Sequence, residues 1–98
     1  KLEQEEDKQF ASLIFSTYLE NKEEIEKIIN SNLVGYDPSR VYKIDRAIIS
    51  TAVCEMKFLK QTPLAVIINE AVKMAKKYGT EKSYAFVNGI LKTISKEV

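Results

Sequence analysis

A compact all-α bundle of about four to five helices, in one domain over residues 1–98, is the fold this sequence predicts. Three observations predict it. Apolar residues recur every three or four positions instead of alternating. Glycine and proline number only three and two, so long helices with short joints are expected. The breakers that do occur sit between the periodic segments, as in "NSNLVGYDPS", "KQTP" and "KYGT".

The first segment runs from about Gln4 to Asn30, with Phe10, Leu13, Ile14, Thr17, Ile25, Ile28 and Ile29 at helical spacing. Its middle, "YLENKEE", is polar enough for the helix to bend or break there. Asp37 before Pro38 predicts the next start: a capping carboxylate, then a residue that has no amide hydrogen to satisfy. The second helix is expected over 38–59, with Val41, Ile44, Ile48, Ala52, Met56 and Leu59 as its stripe. Ile49 and Val53 widen that stripe, which marks this helix as the most buried. Thr62 is expected to cap the third helix, 63–78, with Leu64, Ile67, Ile68, Ala71, Val72 and Ala75 facing inward. Lys73, Lys76 and Lys77 suit its negative end, and Gly79 is expected to end it in a left-handed conformation. Thr80 is expected to cap the fourth helix, about 81–96, whose stripe is Val87, Ile90, Leu91 and Ile94. Gly89 inside it costs about 1 kcal/mol relative to alanine, which makes sense if a neighbouring backbone passes close by.

Several function classes are excluded. No apolar run approaches the ~20 residues of a membrane span, and the opening "KLEQEED" is charged, unlike a signal peptide. One cysteine, Cys54, forbids a disulfide within the chain, and its apolar surroundings read as those of a small buried hydrophobe. A reducing, cytoplasmic location is the default. Without histidine there is no Ser–His or Cys–His pair and no common zinc ligand. No phosphate loop, dinucleotide fingerprint or metal cluster is present, so no cofactor or metal is implied and the chain reads as a non-enzyme. The net charge of +1 hides an asymmetry: residues 1–30 carry eight acids and four bases, residues 31–98 six acids and eleven bases. A basic working face is expected in the second part.

Within that part, Asp45 with Arg46 reads as a helix-surface or inter-helix ion pair. Asn69 and Asn88 neighbour apolar stripes and are expected to tie helices together through their amides. The joint around Gly79 is the richer feature. Lys82 and Phe86 are four apart and share a face, and Tyr78 lies just across the turn. Rings that stack on unpaired bases, with Lys76, Lys77 and Lys82 beside them, would make a single-stranded RNA platform. The plainer alternative is that Phe86 widens the core and Tyr78 staples the corner.

The joint belongs to a longer pattern. Ile68-Asn69-Glu70-Ala71, then Ala75-Lys76-Lys77-Tyr78-Gly79, then Phe86-Val87-Asn88-Gly89-Ile90-Leu91 closely resemble the C-terminal signature of the NusB family of transcription antitermination factors. "IDRAIISTAVCEM", ending near Glu55, resembles the family's central helix, and the "TP" before the third helix matches as well. The resemblance implies an all-helical domain that binds boxA-type RNA of ribosomal RNA leader transcripts. It implies ribosomal protein NusE as partner, within the RNA polymerase elongation complex and without a membrane. Tyr78 and Phe86 fall on family aromatics associated with RNA contact. Arg46 and Glu55 are candidates for the protein-partner face. Lys82 departs from the family, which usually has an acid there. The family's arginine-rich opening and first helices have no counterpart in "KLEQEEDKQF", so the chain reads as the C-terminal two-thirds, truncated or reduced. A second copy would be one cover for the side left exposed, giving a homodimer. An alternative within the resemblance is an accessory or protein-interaction module, as found with RNA cytosine methyltransferases, that lacks RNA binding of its own.

Overall fold

The computed structural model describes residues 2–98, with side chains from Glu5 onward, and consists of five α-helices without a strand among the described residues. The first periodic segment does break. α1 (Leu2–Glu20) stops at Asn21, and α2 (Lys22–Ser31) follows at once. The Asn21 side chain donates to the Thr17 carbonyl at 2.9 Å, which ends α1 in the polar "YLENKEE" stretch.

The second helix begins later than the sequence predicts. Pro38–Arg40 forms one 3₁₀ turn, and α3 proper is Lys43–Val53. Asp37 does cap the turn, accepting from the Ser39 amide at 3.0 Å and hydroxyl at 2.8 Å. Those contacts hold the Asp37 carboxyl below its ordinary pKa. Val41 and Tyr42 are then extended. The reason is Arg46. It donates to Glu26 Oε1 and Asn30 Oδ1, each at 3.0 Å, and to the Pro38 carbonyl at 3.2 Å. In an unbroken helix that carbonyl would lie about 12 Å along the axis from Arg46. Folding back the turn brings it within reach. The expected Asp45–Arg46 ion pair is therefore absent: Arg46 clasps α2, and Asp45 is left buried without it.

α3 continues as a π-helix, Cys54–Leu59, closed by a bond from the Lys60 amide to the Glu55 carbonyl at 2.8 Å. α4 (Leu64–Tyr78) starts without a side-chain cap, because Pro63 rather than Thr62 occupies the capping position. α5 (Ser83–Ser95) follows after a tight corner and packs against α4, and both rest on α3.

Gly79 at that corner is not left-handed. Its φ of −91° and ψ of −166° are extended. Glycine is required by space instead: a Cβ would collide with the Ser83 side chain and lie 2.7 Å from the Ala75 carbonyl oxygen. Thr80 is not the cap of the next helix, which begins only at Ser83 with Lys82 in the capping position and no side-chain cap bond, but it shapes the turn before it. Its hydroxyl accepts from the Lys82 amide at 3.3 Å, while Ser83 Oγ accepts from the Thr80 amide at 2.8 Å.

The core is centred on Ile25, Ile29, Ile49, Val53, Val87, Leu91 and Ile94, all fully buried. Cys54 is buried among them, and that burial, with Glu55 adjacent, pushes its thiol pKa up to about 11. The expected stripes hold with exceptions. Ile44 is exposed because the helix has only just begun there, and Leu64 is exposed at the start of α4 for the same reason. Leu13, Phe15 and Leu19 of α1 are exposed. No helix of the described residues is long and apolar enough to cross a membrane.

Candidate nucleic-acid interface

Two depressions flank the α4–α5 corner. The larger is an open cleft of about 810 Å³ between the 35–42 loop and the start of α5. Gly35, with φ +83°, makes the turn that presents Tyr36 to it. The Tyr36 ring meets Phe86 edge-on, with centroids 5.0 Å apart and planes at 61°. Tyr36 keeps 58% of its surface exposed, while Phe86 is half-buried against the core. Lys82 and Arg40 line the same cleft. Lys82 has no ion-pair partner among the described residues, and Arg40 only a loose one, Asp37 at 3.9 Å. Both α3 and α5 begin at this cleft, so two helix N-termini add partial positive charge. Half-exposed rings, two cations and two positive helix ends suit a stacked base and its phosphates.

The smaller depression, about 340 Å³, lies between α3 and α4 and is lined by Ile44, Glu55, Glu70, Met74 and Tyr78 among others. Burial first, and then the Glu70 charge, raises the Glu55 carboxyl above its ordinary pKa. Lys77 sits 5.3 Å from the Tyr78 ring centroid, and Lys76 the same distance from Tyr84.

The sequence-predicted cluster is thus divided. Lys82 and Phe86 share the cleft, as their spacing requires. Tyr78 lines the other depression, and Lys76 and Lys77 sit over tyrosines outside the cleft. Arg46 is engaged within the chain, whereas Glu55 is half-buried in the second depression. Asn69 is exposed and Asn88 half-buried, and neither side chain forms a hydrogen bond among the described residues, so they do not tie the helices. They border one shallow groove on the outer side of α4 and α5. Nothing lies within 4 Å of a Cβ placed on Gly89, so no close backbone explains it.

Sequence reasoning passed over Tyr36, Arg40, Tyr42 and the isolation of Asp45, all of which line the cleft. The available signal was an aromatic between a glycine and an Asp-Pro pair, in a joint where only turn residues would be needed.

Comparison with known proteins agrees with this architecture. The profile of the NusB family matches residues 1–96. The transcription antitermination protein NusB of Bacillus mycoides is 41% identical over 92 residues, covering 94% of this chain and 71% of its own. That of Finegoldia magna is 41% identical over 90 residues, covering 92% of this chain and 66% of its own. The solved structure of T. maritima NusB superposes with a TM-score of 0.87 at 39% identity, over 92% of this chain and 63% of the other. The chain therefore spans about two-thirds of the length of these relatives.

Proposed function

The chain belongs to the NusB family, and from that premise we propose that it is a transcription antitermination factor that binds single-stranded boxA-type RNA together with ribosomal protein NusE. The observation that carries this reading is the cleft at the start of α5. Tyr36 and Phe86 offer ring faces to unpaired bases, while Lys82 and the loosely paired Arg40 neutralise phosphates. Lys82 adds a positive charge where the family usually has an acid, which favours the backbone contact.

In this reading Tyr78, Lys76 and Lys77 lie beside the RNA path instead of forming its stacking floor. Glu55 remains the candidate contact for the protein partner, since the Arg46 guanidinium is engaged inside the chain. The complex acts in the cytoplasm on ribosomal RNA transcripts as they leave RNA polymerase.

The test is fluorescence anisotropy with a boxA-type RNA and a scrambled control, at two salt concentrations, with and without NusE. The expected result is a preference for boxA that weakens with salt and is reduced about five- to a hundredfold by Tyr36→Ala. Equal binding to both RNAs, with the partner present, would count against the reading.

A further inference from the structure

One side chain shapes the cleft without lining it. Arg46 is absent from the cleft wall and lines instead a groove of about 590 Å³ between α1 and α3, together with Tyr18, Glu26 and Lys43. Its guanidinium is directed inward to three acceptors. Nη1 donates to Glu26 Oε1 at 3.0 Å, and Nη2 donates to Asn30 Oδ1 at 3.0 Å and to the Pro38 carbonyl at 3.2 Å. Glu26 is itself fixed from α1, since its other carboxylate oxygen accepts from the Tyr18 hydroxyl at 3.3 Å. The anchor is therefore held by two helices, and the bond to Pro38 ties the 35–42 loop to it. Among the described residues the other side-chain contacts of that loop through hydrogen bonds or charges are local: Asp37 accepts from Ser39, and Arg40 pairs loosely with Asp37. Tyr36 stands two residues before Pro38, mostly exposed, with an edge-on contact to Phe86.

We propose that Arg46 is the positioning residue of the RNA cleft: through the Pro38 carbonyl it holds the loop that sets Tyr36 against Phe86, and it touches neither base nor phosphate itself. The proposal rests on the RNA-binding reading and says what prepares that site for its ligand. A ring already in place when the base arrives loses little freedom on binding, whereas a ring on a loose loop must be ordered at that moment. Arginine suits this task and lysine does not. The planar fork reaches acceptors on α2 and on the loop at once, while an ammonium is a point charge on a flexible stem. Both side chains are positive, so Arg46→Lys removes the geometry and keeps the charge.

The test is a double-mutant cycle of Arg46→Lys and Tyr36→Ala. It is read by anisotropy with boxA-type RNA in the presence of NusE, and by the ring-proton NMR shifts of Tyr36 and Phe86 in the free chain. Arg46→Lys alone should weaken RNA binding about three- to tenfold and move the ring shifts towards those of separated rings. In the Tyr36→Ala background the same change should cost less than about twofold, because the ring that Arg46 positions is gone. Additive losses would overturn the proposal, and so would ring shifts that Arg46→Lys leaves in place. If Arg46→Lys does not fold, Asn30→Ala decides: Asn30 is exposed, and losing this anchor should move the same ring shifts, whereas unmoved shifts would overturn the proposal. If the unaltered chain binds neither boxA-type nor scrambled RNA with the partner present, the RNA reading falls and the proposed role in RNA binding falls with it. The ring shifts then still report whether the clasp places Tyr36, so the two failures are told apart.

Discussion

The cleft at the start of α5 and the depression beneath the end of α4 are built from one short stretch of chain, yet they differ in chemistry. The first has half-exposed rings, two helix N-termini, the cations Lys82 and Arg40, and the carboxylates of Asp37 and Asp45. The second is mainly apolar, with two carboxylates, and burial first and then the Glu70 charge raise the pKa of Glu55. Tyr78 and Phe86 are eight residues apart in the sequence, and the corner at Gly79 sends them to opposite depressions. The lesson concerns corners. Residues on either side of a tight joint share a site only if the joint turns their helix faces towards each other, and here it does not.

The joint itself is the place to break that contrast most severely. Gly79→Ala puts a methyl group against Ser83 and the Ala75 carbonyl, so the corner must open. A loss of about 3 kcal/mol in chemical denaturation is expected, the upper end for overpacking. Gly89→Ala is the control. With open space around its Cβ and a helical backbone, it should gain about 0.5–1 kcal/mol. Equal effects of the two changes would mean that the corner is not tight.

The second prediction separates the rings of the two depressions by RNA affinity. Phe86→Ala and Tyr36→Ala should each weaken binding by about 1–3 kcal/mol, whereas Tyr78→Ala should change it by less than about 0.5 kcal/mol. Phe86 also packs on the core, so Tyr36 is the cleaner probe of the pair. A reversed order, with Tyr78 dominant, would move the RNA to the other depression. A smaller effect concerns charge. Lys82→Gln should reduce the slope of log affinity against log salt by about one phosphate contact, and Lys77→Gln should leave it unchanged.

The smallest effect belongs to the acidic depression. Glu55 has a folded pKa above its ordinary value of 4.5, with burial as the first cause and Glu70 as the second. Its ionised form therefore opposes folding. The stabilisation from its protonated form is full below the unfolded pKa and is lost as pH rises through the raised folded value. Glu55→Gln should thus stabilise the protein at pH 7 by on the order of 0.5 kcal/mol, and the gain should vanish as pH falls below about 4.5. Thermal melts of both proteins across that range would read it directly. A gain that persists at acid pH would point to packing rather than charge.

Much of this was legible in the sequence. The 3.6-residue spacing gave the helices and most of the core, because a buried stripe must repeat at the helical period whatever it packs against, and local polarity gave the break in "YLENKEE". The motifs from Ile68 to Leu91 carried the family, and the four-residue spacing of Lys82 and Phe86 gave their common face. What spacing cannot say is which distant segment lies opposite that face. Tyr36 reached Phe86 only because the 35–42 loop folds back, and that loop folds back because Arg46 draws the Pro38 carbonyl towards α2. The same clasp took Arg46 away from Asp45 and left a carboxylate without a partner in the cleft. Local periodicity is a property of each helix by itself and can be read from one strand of text. The contents of a cleft are set by contacts between residues far apart in the chain, and those only the tertiary structure decides.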